Sequence, residues 1–164
     1  MAVENKYVDA SIVAGKNTNP AFSQGAQVMG AVSTFEVAAA DSDGSIYRLF
    51  KGVSGDLILI SALLACDAIT GSTAWDFGVY ETNLGPVVDA DCFAANVDIA
   101  AGFAFGSEKN LLASLPVENI QKRIYEVAGH TIATRKHSYD LALTADTVGS
   151  AAGTVSVKAL FLQA

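Results

Sequence analysis

Residues 45–81 read SIYRLFKGVSGDLILISALLACDAITGSTAWDFGVYE, three β-rich runs punctuated by Gly52, Gly55 and the Gly71-Ser72 pair. In the last run Thr73, Trp75, Phe77 and Val79 alternate with Ala74, Asp76, Gly78 and Tyr80. An extended chain turns successive side chains to opposite faces, so this run reads as a half-buried strand with Trp75 in the core. The middle run, Leu57–Cys66, is apolar on both sides, with only Ser61 interrupting. A strand of that composition is covered on both faces. Its own core accounts for one face, and a second layer or another subunit for the other.

Upstream, residues 25–40 read as a strand pair or one bent strand, with Gly30 at the bend. DSDGS at 41–45 combines Asx residues with a glycine suited to positive φ, which predicts a tight hairpin. Its D-x-D-G start is shared with calcium loops, yet the later ligands and distal glutamate of an EF-hand are missing. Residues 1–24 read as an N-terminal arm, with a weak alternation at Val8, Ala10, Ile12 and Ala14 and with Pro20 beyond it. Such an arm is either irregular or ordered by lying across a neighbouring subunit.

Downstream, TNLGP at 82–86 is a turn, and residues 89–100 place Phe93, Val97 and Ala100 at helical spacing behind a capping Asp89 or Asp91. A short helix is expected there. Residues 102–115 are irregular, with a small apolar patch at Phe103 and Phe105. Pro116 then opens a stripe of Ile120, Ile124 and Val127 that Gly129 stops, predicting a helix of about three turns with Lys122 and Arg123 on its solvated face. Three strand-like runs close the chain, at 130–136, 138–148 and 153–164. Tyr139, Leu141 and Leu143 alternate in the second, and Val155, Val157, Ala159 and Phe161 in the third. About eight strands with one or two short helices, separated by turns, predict an all-β fold, a β-sandwich of jelly-roll type. No repeat or linker divides the chain, so residues 25–164 are expected to form a single domain behind the arm.

The 164 residues are 51% hydrophobic and only 16% charged, against about 25% charged in ordinary soluble domains. A surface short of charge is one that a partner normally covers. The net charge of −7 argues against nucleic acid as partner, since tracking phosphates takes a basic stripe. The opening residues lack a signal-peptide pattern, and the longest apolar run is shorter than the ~20 residues that span a bilayer. Neither a membrane nor export is therefore expected, and synthesis is expected in the cytoplasm.

Catalysis finds little to work with. Cys66 and Cys92 sit beside apolar runs with no CxxC spacing, and read as small buried hydrophobes rather than a bridge or metal ligands. His130 and His137 are seven residues apart, with no Cys or Glu at ligand spacing, which gives a structural or exposed role. Asp89, Asp91 and Asp98 are expected to have no histidine or second acid near enough to share a proton, so capping and solvation explain them. GVSG at 52–55 lacks the lysine and helix start of a phosphate loop. Arg48 and Asp56 could meet across strands, but no spacing requires it. No enzyme, cofactor, metal or catalytic residue is expected.

One resemblance adds to these readings. A strand ending in YRLF (Tyr47, Arg48, Leu49, Phe50) precedes an apolar strand and then D-x-GVY (Asp76, Gly78, Val79, Tyr80). Gly85, Val87, Val88, Asp89, Ala90, Asp91 and Phe93 follow. Over residues 45–101, roughly a third of the chain, this pattern resembles tailed-bacteriophage capsid decoration (cement, head-stabilising) proteins. The resemblance implies a jelly-roll-like virion protein, often a homotrimer, bound to the exterior of the capsid. It would clamp the major capsid protein lattice against the pressure of packaged DNA. It also leaves two rivals: a carbohydrate- or receptor-binding β-sandwich of a phage head fibre, and a tail or head-completion component.

Overall fold

The computed structural model describes the backbone of Asn5–Tyr7 and residues 27–163 in full. In chain order the elements are β1 (Asn5–Tyr7), β2 (Gln27–Val37), β3 (Ser45–Ser54), β4 (Leu57–Cys66), β5 (Ala74–Tyr80), β6 (Val87–Ala94) and β7 (Lys109–Asn110). A 3-10 turn at Val117–Asn119, the short helix α1 (Ile124–Val127), β8 (Ser138–Thr147) and β9 (Gly153–Gln163) complete them. Two sheets face each other, ordered β1-β3-β8-β5-β6 and β2-β9-β4-β7. β1 joins β3 in parallel, and every other pairing is antiparallel. The fold is an all-β sandwich, as the turn-separated runs predict. From β2 onward the chain changes sheet at every connection except that between β5 and β6.

β4 shows how an entirely apolar run is sorted into faces. Its register against β9 slips between Leu59 and Ser61, leaving Ile60 as the extra residue of a bulge. Leu57 and Leu59 point inward before the slip, Ala62 and Leu64 after it, and Ile60 turns outward. One inserted residue reverses the phase of a period-two pattern. Continuous greasiness therefore resolves into a buried side and a side that is only half covered.

Aromatic rings tie the sheets together. Phe35 of β2 stacks on Tyr47 of β3 at 4.6 Å between centroids, and Tyr47 stacks on Trp75 of β5 at 5.4 Å. Phe161 of β9 meets Phe50 of β3 edge-on at 6.0 Å. Trp75 is fully buried, and its indole N–H donates to Ser72 Oγ at 2.6 Å. Geometries of this kind contribute about 0.5–1.5 kcal/mol each beyond the area they bury.

Several local expectations give way to tertiary structure. DSDGS is a turn with Gly44 at φ 82°, but β2 and β3 lie in opposite sheets, so it is a crossing between layers and no hairpin. Asp41 serves that crossing, accepting from Ala38 N–H at 3.1 Å and from Tyr47 Oη at 2.5 Å. Residues 89–94 of the expected helix belong to strand β6, because the open edge of β5 offers a ladder and Gly78 lets the β6 backbone come close. A Cβ at Gly78 would lie 2.1 Å from Asp89 O. Residues 116–129 form two short pieces, since Arg123 is extended (ψ 156°) and α1 starts anew behind it, with Glu126 accepting from Arg123 N–H at 2.9 Å. Gly129, at φ 75°, ends α1 as expected. Residues 130–136 are a turn rather than a strand, because β8 is already flanked by β3 and β5. In the arm, Asn5–Tyr7 pairs with β3 of the same chain, while the alternation at Val8 to Ala14 lies outside the described residues.

Candidate interaction surface

Of the candidate catalytic groups Asp89 and Asp91 do meet, against the expectation that no second acid lies near them, because strand β6 holds them two residues apart. Among the described residues no three His, Cys, Asp or Glu are grouped to hold a metal ion. His130 Nδ1 bonds Tyr139 Oη at 2.7 Å, which fixes the loop before β8, while His137 is exposed. Cys66 and Cys92 are free, and burial pushes both thiols up, so neither offers a thiolate at neutral pH. No helix among the described residues is long and apolar enough to cross a membrane.

The YRLF and GVY patterns send Tyr47, Leu49, Phe50 and Val79 into the core and leave Arg48 and Tyr80 on the outer side of the five-stranded sheet. Arg48 is fully buried, and its Nη1 donates to Asp140 Oδ2 at 3.1 Å and to Glu81 O at 2.6 Å. Its Nη2 donates to Gly85 O at 2.5 Å, and its guanidinium lies 5.0 Å from the Tyr80 ring centre. Asp140 accepts a second bond from Gly52 N–H at 3.0 Å, and Tyr80 Oη bonds Thr144 Oγ1 at 2.5 Å. A buried charge pair is tolerable when its remaining donors and acceptors are also bonded, and this one binds β3, β8 and the β5–β6 turn into one unit. Arg48 thus meets Asp140, while Asp56 pairs with Arg135 and, at 3.7 Å, with Arg123. The signal in the sequence was a lone charge inside each of two apolar strands, Arg48 in IYRLF and Asp140 in YDLAL; only the fold brings positions 92 residues apart together.

Farther along that face the groups are acidic. Asp76 of β5 lies near Asp146 of β8 and Asp91 of β6, and Asp89 bonds Asp91. Burial first, and these like charges second, raise the Asp76 carboxyl above its ordinary range. Burial likewise raises Asp89, with Asp91 adding to it.

The outer face of the four-stranded sheet is different. Its cross-strand rows are Val28–Leu162–Ile58, Gly30–Leu160–Ser61 and Val32–Lys158–Leu63. Val32 is 42% exposed, and Ile60 and Leu160 are 43% exposed. Beyond this patch the rows turn polar, with Thr34 bonded to Ser156 and Glu36 to Thr154. At one end of the sandwich, loops present further apolar side chains, Leu84, Val117, Ile120 and Ile132, beside Lys122, Arg123, Arg135 and Lys136. Loops 38–44, 67–73, 95–102 and 148–152 at the opposite end contain Asp41, Asp43, Asp67 and Asp98 and no basic residue. A partner surface is therefore available on one sheet face and one loop end, and neither carries a reactive centre.

No protein-family model matches the chain, and no curated protein matches it. Its fold is shared with solved phage capsid structures. A chain of the cyanophage Pam1 capsid asymmetric unit superposes with a TM-score of 0.57 at 11% identity, over 92% of this chain and 94% of that one. A chain of the capsid of Ralstonia phage GP4 superposes with a TM-score of 0.59 at 13% identity, over 84% of each chain. At such identities the likeness is one of architecture.

Proposed function

We propose that this chain is a structural protein of a phage virion, a jelly-roll domain over residues 25–164 behind an arm at 1–24, that decorates the exterior of the capsid. The observation that supports this reading is superposition over 84–94% of each chain on chains taken from two phage capsids. The strand order supports the jelly-roll part, because β2-β9-β4-β7 and β3-β8-β5-β6 interleave early and late strands across two sheets of four. The partners in this reading are the major capsid protein and further copies of the chain, with nucleic acid and membranes taking no part. A homotrimer covers the apolar patch around Val32, Ile60 and Leu160, and the loop end and the arm face the capsid lattice. The mechanism is linkage: a ligand that binds only the assembled shell stabilises that shell, with no chemical step and so no enzyme.

The test is the number of copies per virion, by quantitative mass spectrometry, together with the mass of the purified protein in solution. Hundreds of copies and a trimer are expected. About a dozen copies or fewer would place the protein in a portal or tail ring, and glycan binding without capsid binding would make it a receptor-binding module; either result overturns the decoration reading.

A further inference from the structure

The two sheets have four outer edges, and three are blunted. β1 is three residues long. β7 has two residues and carries Lys109. β6 breaks register on both sides of Val79 and carries Asp89 and Asp91. β2 differs in each respect. It runs 11 residues, pairs with β9 through every one of them without a register shift, contains neither Pro nor Lys, and is uncharged from Gln27 to Phe35. It has no strand partner on its other side among the described residues. A long, regular edge presents a row of N–H and C=O groups that templates another strand, which is why edges are normally interrupted or charged. At about 3.4 Å per residue this template is roughly 37 Å long.

We propose that the open edge of β2 receives an extended segment of the capsid-lattice protein as a fifth strand of the β2-β9-β4-β7 sheet. The inference rests on the capsid reading above and adds to the loop end and the arm a further contact with the lattice. Charge argues against a second copy as the occupant. Antiparallel self-pairing of two copies about Val32 sets Glu36 opposite Val28, and a half-residue shift either way sets it opposite Gln27 or Met29, so a second copy supplies no countercharge. Glu36 is exposed, and its Oε2 accepts from the neutral Thr154 hydroxyl at 2.8 Å. The segment that fits has apolar residues alongside Val28 and Val32 and a Lys or Arg opposite Glu36.

The test uses DNA-free capsids assembled without this chain, hydrogen exchange of the chain before and after uptake, and Glu36→Lys. On uptake every second amide between Gln27 and Val37 is expected to slow by about tenfold or more, equivalent to about 1.4 kcal/mol of added protection. Glu36→Lys, on an exposed side chain, is expected to keep the fold and weaken capsid uptake by about tenfold at low salt. Uptake with unchanged β2 exchange overturns the edge assignment and leaves the capsid reading standing, whereas absence of uptake by the unaltered chain overturns both. Amides of β2 already slow in the free protein, because residues 8–26 or a second copy hold that edge, also overturn it.

Discussion

On the outside of the five-stranded sheet Arg48, Asp140, Tyr80 and Thr144 are buried and bonded to one another, under the β5–β6 turn. On the outside of the four-stranded sheet Val32, Ile60 and Leu160 remain open, and no part of the described chain folds over them. Both faces belong to sandwiched strands whose inner sides are fully packed, so burial of the core does not distinguish them. The first face is completed from within the chain, by hydrogen bonds to charged groups. The second is apolar enough to gain from contact, and none of the described residues covers it. A stable surface and a partner-seeking surface thus stand on opposite sides of one core.

The contrast is broken most severely at the ion pair. Arg48→Ala strands the Asp140 carboxylate in a closed site and is expected to cost about 3–5 kcal/mol in chemical denaturation. The double variant Arg48→Met with Asp140→Leu should recover most of that loss, and a single-variant cost under about 1 kcal/mol would show that the closed face does not depend on the pair. Gly78→Ala comes next, at about 1–3 kcal/mol, because its methyl must displace the β6 backbone at Asp89.

On the open face the expectation reverses. Ile60→Ser and Leu160→Ser should change the stability of the isolated chain by about 0.5 kcal/mol or less. Sedimentation should nevertheless show the proposed homotrimer dissociating at higher protein concentration than that of the unaltered chain. Unchanged association by both variants would remove this face from the interface.

The smallest effect concerns Asp76. Its carboxyl is raised in the folded state, so the native chain holds a proton that the unfolded chain gives up near the ordinary value of 3.8. The stabilisation is therefore complete below that pH and fades as pH rises through the raised folded value. Asp76→Asn keeps the acceptor for Asn96 N–H, removes the repulsion from Asp146 and Asp91, and should flatten the acid-range decline while raising the neutral-pH Tm slightly. A steeper decline in the variant would contradict this.

Much of the sandwich is legible in the sequence because its strands carry their own period. Trp75, Phe77 and Val79, and Val155, Val157, Ala159 and Phe161, alternate in the sequence and are buried in the structure. The β8 run is legible as a strand but not as a central one, because burial of Asp140 and Thr144 depends on Arg48 and Tyr80 arriving from elsewhere. β6 is misread because Phe93, Val97 and Ala100 mimic helical spacing, while the deciding fact is a free strand edge and a missing Cβ at Gly78. The Leu57–Cys66 run was expected to be covered on both faces, yet its outer side is only half covered, and the bulge at Ile60 that decides which residues face outward was not visible in the sequence. The β2 edge left no trace in its own residues, since an edge is defined by the strand that is not beside it.

Arg48 grips the β5–β6 turn through the backbone carbonyl oxygens of Glu81 and Gly85. Such a turn is specified by its path and indifferent to its lettering, apart from the left-handed positions Asn83 and Leu84, both at φ 58°. Single replacements at Thr82 would therefore be free, whereas an insertion between 83 and 84 would pull two oxygens off the guanidinium and loosen the closed face with it.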